Sequence, residues 1–310
     1  MSDGGSLTYF TKEPIQCPVC ESNFYREELR RGRGRLIAGK LTTELRREYE
    51  PSQKYGEVFP IAYSATVCPQ CYYATLREDF SKVPGDVVGV LSGQTEKRMD
   101  SMSEIFDSLD FTEPRGLPEG VASYFLAVMC YDHFSKEFSP TFKQGLCSLR
   151  AAWLCTDLHR KQPTENFDYL ANLFYRKARF FYSLSVERET SGKEPIPNEM
   201  HLGPDTDKNY GYDGVLYLTG LLEFRYGPRK DQEKRRVALD RAKRTVAKIF
   251  GMGKASKNKP QAILDNARDV YEEIAQELGD ENKDPEKQDP NAEYPPHPLE
   301  RRDALQRVAD

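Results

Sequence analysis

The chain has 310 residues, of which 38% are hydrophobic and 30% charged, with a formal net charge of −4. That balance suits a well-solvated globular protein holding one small module and one larger domain, and the net charge by itself points to neither nucleic acid nor membrane. No stretch approaches the ~20 apolar residues of a membrane span, and the opening Met1–Ser6 lacks the basic and apolar regions of a signal peptide, so a cytoplasmic protein is expected.

Residues 1–14 read as a flexible lead-in, and residues 15–83 as a metal module. The module is marked by two Cys-Pro-X-Cys turns, Cys17-Pro18-Val19-Cys20 and Cys68-Pro69-Gln70-Cys71. In each turn the proline stiffens the bend, the two thiols face the same way, and free backbone amides can bond the sulfurs. Two such knuckles close a tetrahedral site of the kind Zn²⁺ favours, with Cys17, Cys20, Cys68 and Cys71 as ligands. Four sulfurs leave no position for water or substrate, so the ion is expected to be structural. Two readings compete: iron in a rubredoxin-like site, and a thioredoxin-like redox dithiol. The redox motif wants a helix cap inside a βαβ unit, a pattern that surrounds neither copy.

The 47 residues between Cys20 and Cys68 are more than a compact zinc ribbon carries, so this insert must fold over the site or leave it. Its Arg/Gly run, Arg30–Arg35, suggests RNA, yet residues 21–50 hold eight basic and six acidic side chains, a net of only +2. A solvated loop is the plainer meaning. A short helix is predicted near Thr42–Tyr49, and a strand over Val58–Tyr63 leading into the second knuckle.

From residue 84 to 279 the texture is helical, with helices predicted near 84–108, 118–137, 140–160, 166–189, 212–226, 230–250 and 260–279. In 166–189, Phe167, Leu170, Ala171, Phe174, Ala178, Phe181 and Ser185 form one apolar face, and Tyr169, Leu173, Phe180 and Leu184 a second. A helix apolar on two sides is expected to sit between neighbours. Leu239, Ala242, Val246 and Ile249 give the 230–250 helix a single stripe, as Ile263, Ala267, Val270, Ile274 and Leu278 do for the last, so these two are peripheral or pair together. Ala171-x₃-Tyr175-x₂-Ala178 matches the second helix of a tetratricopeptide repeat, where small residues admit a neighbouring helix. The fold class expected is mainly α, a tetratricopeptide-like array or bundle preceded by a small Cys₄ zinc-ribbon-like module. Cys130, Cys147, Cys155 and Trp153 fall in apolar helices and read as core. Ser191–Tyr210 is a Pro/Gly-rich loop in which turn chemistry accounts for Asp205 and Asp207, and 280–310 is a disordered acidic, Pro-rich tail with a short helix over Leu299–Val308.

The paired knuckles, the following Tyr72-Tyr73-Ala74 and Asp79-Phe80, and Gly251–Pro260 together resemble the bacterial domain-of-unknown-function family 2225 over residues 15–279. The resemblance implies a cytoplasmic bacterial protein with a zinc-ribbon-like start and tetratricopeptide-like helices, and it brings no activity.

Two further features bear on function. Gly251-Met252-Gly253-Lys254 evokes a phosphate loop, but position 248 is Lys where a Walker A motif needs Gly, residue 255 is Ala, and a helix rather than a strand precedes it. A helix-ending turn is the simpler reading. Residues 229–259 hold twelve Lys/Arg against three acids, a net of +9, which offers a basic partner-binding surface at Lys234, Arg235, Arg241, Lys243, Arg244, Lys248, Lys254 and Lys257. It could meet an acidic protein, nucleic acid or the acidic tail, or be a solvated face. His133, His159, His201 and His297 form no metal or nucleophile motif. The sequence thus favours a non-catalytic interaction scaffold whose concave face holds a protein partner, with a nucleic-acid-associated regulator as the alternative and a redox enzyme third.

Overall fold

The computed structural model describes residues 6–30, 32–197, 200–250 and 260–281. Among the described residues, four short antiparallel strand pairs build its first part. Strand β1 (Thr8–Phe10) pairs with β4 (Glu27–Leu29), and β2 (Ile15–Gln16) with β3 (Asn23–Phe24). Strand β5 (Ile37–Leu41) pairs with β6 (Arg47–Glu50) through a register shift, and β7 (Ala65–Val67) with β8 (Ala74–Leu76). Part of the expected lead-in is therefore structured, because Thr8–Phe10 supplies the partner for Glu27–Leu29. Two other expectations fail in the insert. Residues 42–49 form a hairpin tip and strand instead of a helix, and Pro60–Tyr63 is a 3₁₀ turn ahead of the strand at 65–67. Proline lacks the amide that a ladder needs, so a strand through Pro60 is disfavoured.

Eight α-helices follow among the described residues: α1 (Gly85–Gly93), α2 (Thr95–Ser103), α3 (Leu117–Tyr131), α4 (Pro140–Lys161), α5 (Phe167–Thr190), α6 (Gly211–Tyr226), α7 (Gln232–Ala247) and α8 (Gln261–Glu281). The single helix expected over 84–108 is two, broken where Gly93 ends α1 and the Gln94 amide turns back to Leu91 O and Ser92 O. Pro118 and Pro140 sit in the first turns of α3 and α4, where a missing amide costs nothing. Gly116 precedes α3, and Glu119 reaches back to its amide at 2.9 Å. Glu194, from the loop after α5, caps α4 by accepting from the Thr141 amide and hydroxyl, both at 2.7 Å.

From α3 onward each helix packs chiefly on its neighbours in the chain, and α7 and α8 pair as their stripes require. Two glycines allow close approach. A Cβ at Gly120 would stand 2.9 Å from Ala62 Cβ, and one at Gly220 would stand 2.2 Å from Val246 Cγ2. Trp153, Cys130, Cys147 and Cys155 are core residues, as expected. One face of α5 is buried, but the second is not enclosed: Tyr169, Leu173 and Phe180 are 44%, 37% and 55% exposed. The helix does sit between α4 and α6, but its second stripe is left facing outward. Residues 251–259, which include the Gly-Met-Gly-Lys segment, and residues 282–310 lie outside the described residues.

Candidate metal centre

Each Cys-Pro-X-Cys turn is the tip of a hairpin, the first between β2 and β3, the second between β7 and β8. The two tips share one backbone pattern. The Cys17 amide donates to Ser22 O and the Glu21 amide to Cys17 O, both at 2.9 Å; the Cys68 amide donates to Tyr73 O at 2.9 Å and the Tyr72 amide to Cys68 O at 3.0 Å. In both, the residue after the second cysteine is left-handed, Glu21 at φ 60° and Tyr72 at φ 54°. A side chain there costs about 1 kcal/mol or more, held in place by the two bonds that close the turn.

Facing tips bring Cys17 Sγ to 3.7 Å from Cys71 Sγ and Cys20 Sγ to 3.6 Å from Cys68 Sγ, and all four sulfurs lie within 4.8 Å of one another. A tetrahedron with metal–sulfur bonds of about 2.3 Å has edges of about 3.8 Å, whereas a disulfide requires about 2.05 Å. The sulfurs are spaced to hold one cation, and all seven cysteines are free. Neither knuckle caps a helix, so the setting of a thioredoxin-like dithiol is missing. Cys17, Cys68 and Cys71 are buried, with Cys20 at the edge. The Val19 amide points at Cys17 Sγ (3.4 Å), and the Ser22 hydroxyl lies 3.0 Å from Cys20 Sγ and 3.3 Å from Cys68 Sγ.

Crowding sets the proton balance. Hydrogen bonds from Cys17 and then Cys71 hold the Cys68 thiol far below its ordinary range, while its bond to Cys68 pushes Cys17 up to about 12 and contact with Cys17 and Cys68 raises Cys71. Four adjacent sulfurs cannot all ionise unless a cation neutralises them. A divalent ion with four thiolates carries a net charge of −2, and buried charge needs compensation. With such an ion bound, Arg98 of α2 would supply that compensation from behind Cys71. It is 1% exposed, donates through Nε (3.1 Å) and Nη2 (2.8 Å) to Cys71 O, through Nη1 (2.7 Å) to Leu91 O, and through Nη2 to Thr95 Oγ1 (3.2 Å). Among the described residues no carboxylate pairs with it. A buried guanidinium bonded only to neutral groups fits a compact anion beside it. Sequence reading missed Arg98, whose flanking residues give no signal of burial.

Helices α3 and α4 lock the second hairpin. The Leu76 amide donates to Tyr131 Oη at 3.0 Å, Tyr131 donates to Asp79 Oδ2 at 2.6 Å, and Lys143 pairs with the same carboxylate. Burial pushes Tyr131 well above the usual phenol range and Cys130 beside it up to about 11.

The insert reaches in the other direction. Its tip, Thr42–Arg46, plugs the groove formed by α4, α5 and α6. Glu44, 8% exposed, accepts from Trp153 Nε1, from Tyr175 Oη at 3.0 Å and from Arg225 Nη1 at 3.1 Å. Leu45 is fully buried at φ 59°, Arg46 pairs with Asp157, and Tyr217 donates to Thr43 O at 2.6 Å. Asp205 accepts from the Arg47 amide (2.8 Å), and Asp207 pairs with the Arg47 guanidinium (3.1 Å). Those two acids thus anchor the hairpin as well as shaping their loop.

The predicted basic surface is only partly a surface. Arg235 is 4% exposed, forked onto Glu277 at 2.7 and 2.9 Å and bonded to Glu223 O at 3.3 Å, so it ties α7 to α8 and α6. Lys234 pairs with Asp231 and Arg244 with Asp240, while Lys243 lies 5.2 Å from the Tyr271 ring. Arg241 and Lys248 are exposed. Lys254 and Lys257 lie outside the described residues.

Residues 10–274 match the sequence profile of domain-of-unknown-function family 2225, described as uncharacterized protein conserved in bacteria. A protein of Borreliella burgdorferi, itself described as uncharacterized, is 45% identical over 273 residues, covering 88% of this chain and 98% of the relative. No solved structure matches. No helix among the described residues is long and apolar enough to cross a membrane.

Proposed function

The chain belongs to domain-of-unknown-function family 2225, and from that premise we propose a non-catalytic interaction scaffold of the bacterial cytoplasm, its N-terminal module clamped by structural Zn²⁺. The observation that carries this reading is the closed set of four sulfurs held between two hairpins, with Arg98 bonded behind Cys71. Such a site offers a metal no vacancy for a reactant, and its ligands serve to lock the module onto α2 and α3. The residues would hold the ion through Cys17, Cys20, Cys68 and Cys71, with Ser22 and the Val19 amide bonding the sulfurs from outside. The ion supplies charge neutralisation and a cross-link, not chemistry on a substrate.

The helical part supports a binding role. Stacked helices with an exposed apolar face on α5 present broad surface, and a cleft of about 320 Å³ lined by Phe59, Tyr63, Leu117 and Leu158 offers an ion pair, Lys161 with Glu57, and no nucleophile beside a base. The cations of α7 are largely engaged within the protein, which weighs against nucleic acid. Elemental analysis of purified protein, paired with chelator unfolding, tests the metal: one zinc per chain and loss of structure on chelation are expected. Iron, or a protein indifferent to chelation, overturns it. Cross-linked affinity capture tests the scaffold role, and a bait that recovers no partner under gentle lysis counts against it.

A further inference from the structure

A helical array ordinarily offers its concave groove to a partner, but here the Thr42–Arg46 tip fills the α4–α5–α6 groove from within, with Glu44 as its anchor. A partner therefore needs another face. We propose that the outer face of α5 is a docking surface for an acidic amphipathic helix, an inference that rests on the scaffold reading above.

Tyr169, Leu173, Phe180 and Leu184 stand at i, i+4, i+11 and i+15. At 3.6 residues per turn they fall within an arc of about 60°. The first three are 44%, 37% and 55% exposed, while Ala171, Phe174, Ala178, Tyr182 and Ser185 on the opposite side are buried. Among the described residues, the other large apolar side chains that are exposed, such as Tyr25, Val90 and Val237, each stand on a different segment. Among the described residues only α5 gathers them into a line. Single exposed hydrophobics need no explanation, but a row of them on a 24-residue helix forms a ridge that another helix can straddle.

Charge selects the kind of helix. Arg176 and Lys177 flank the arc, each about 20° beyond one of its edges; both are exposed, and neither has a hydrogen bond or ion pair among the described residues. A neutral or basic partner would strip water from these cations without replacing it, whereas carboxylates flanking an apolar stripe would pair with them. Glu187, at the far end of the face, sets the direction in which a partner's charge pattern must end. Arg179 is turned aside, bonded to Glu223 by two contacts of 2.9 Å.

The test uses full-length, metal-loaded protein and three labelled synthetic peptides read by fluorescence anisotropy: an acidic amphipathic helix, its lysine-for-glutamate counterpart, and the acidic peptide with scrambled order. The acidic amphipathic peptide is expected to bind, and Phe180→Asp to weaken it about tenfold or more. Arg176→Glu with Lys177→Glu should reverse the preference toward the basic peptide. These side chains are exposed, so folding is retained, checked by an unchanged melting curve. Equal binding of the three peptides, or indifference to Phe180→Asp, overturns the proposal. So does a wild-type dimer that Phe180→Asp dissociates, since a second copy would then own the face. Deletion of residues 282–310 that raises peptide affinity about tenfold also overturns it, by assigning the face to the chain's own end. Photocross-linking in cells from positions 173 and 237 separates this from the scaffold reading. Discrete adducts from 237 but none from 173 reject the α5 face alone, and no adduct from either rejects the scaffold.

Discussion

Arg98→Met is the sharpest probe of the metal centre, because it removes charge and two hydrogen-bonded anchors while keeping the side chain's length. Cys71 O and Leu91 O lose their guanidinium donors. Leu91 O keeps the Gln94 amide, but Cys71 O is left without a donor, and a buried polar group left unsatisfied costs about 1–3 kcal/mol. Against this stands the relief of no longer desolvating a cation, which is large only when nothing neutralises it. With metal and four thiolates present the cation faces an anion, and most of the cost should appear. Without metal the cluster loses most of its negative charge, Cys68 being the one thiol held low, so the guanidinium faces a weaker anion and the cost should shrink. By linkage, the difference between the two states is the loss in metal affinity, about 10–100-fold for a residue supporting the ligands from outside. Chelator competition measures the affinity, and urea titration with and without metal measures the two stabilities. Arg98→Lys should restore part of the affinity but not the paired carbonyl contacts. Unchanged metal affinity in Arg98→Met, alongside lowered stability, would show that Arg98 is a structural latch with no electrostatic share in the site.

Three further outcomes follow from the same geometry. Glu44→Ala leaves Trp153, Tyr175 and Arg225 without their acceptor and should cost about 3–5 kcal/mol in urea titration; a loss below about 1 kcal/mol would mean the hairpin is not anchored there. Glu21→Gly replaces an exposed residue at φ 60° and should gain about 1 kcal/mol in thermal unfolding, an increase that a lowered midpoint would contradict. Burial raises Cys130 to about 11 and Cys147 to about 12, so native protein at pH 8 should label at neither, and all seven cysteines should react only after denaturation. Since both folded values lie above those of the unfolded chain, the stability they contribute is complete below about pH 9 and lost as pH rises through 11 to 12. Alkaline melts that stay flat across that window would contradict the burial.

Features encoded by local spacing were readable before any coordinates. The two Cys-Pro-X-Cys turns name their own geometry, and the i, i+3, i+4 stripes of α5, α7 and α8 identify the long helices and their inward faces. What escaped was set by partners distant in sequence. Thr42–Tyr49 has the composition of a short helix, yet the groove between α4 and α6 selects a hairpin tip with Leu45 left-handed, because Trp153, Tyr175 and Arg225 capture Glu44 only in that form. Arg235 reads as one cation in a basic run, and only the approach of Glu277, 42 residues later, makes it interior. The second stripe of α5 is legible as apolar, but periodicity says nothing about whether a neighbour arrives to cover it. Arg98 is the extreme case, a buried charge whose reason for burial lies in the Cys71 carbonyl of another module.

The insert ties the residues before 83 to the helices that follow them. Its ends are Cys20 and Cys68, whose sulfurs stand 3.6 Å apart, and its middle is pinned by Glu44 to α4, α5 and α6. Closing a flexible loop of this length costs about 3 kcal/mol of chain entropy. A metal that holds both ends together bears that cost before the tip docks, so Glu44 then binds its groove from a short tether. The reverse also holds: a docked tip keeps the two knuckles within reach of each other when the ion is absent. With an ion bound, metal site and groove would stabilise one another through the insert even though they share no side chain, and weakening either should then lower the apparent affinity of the other. The long spacing between the knuckles, awkward for a free-standing zinc ribbon, is what allows the module to be built into the helical array.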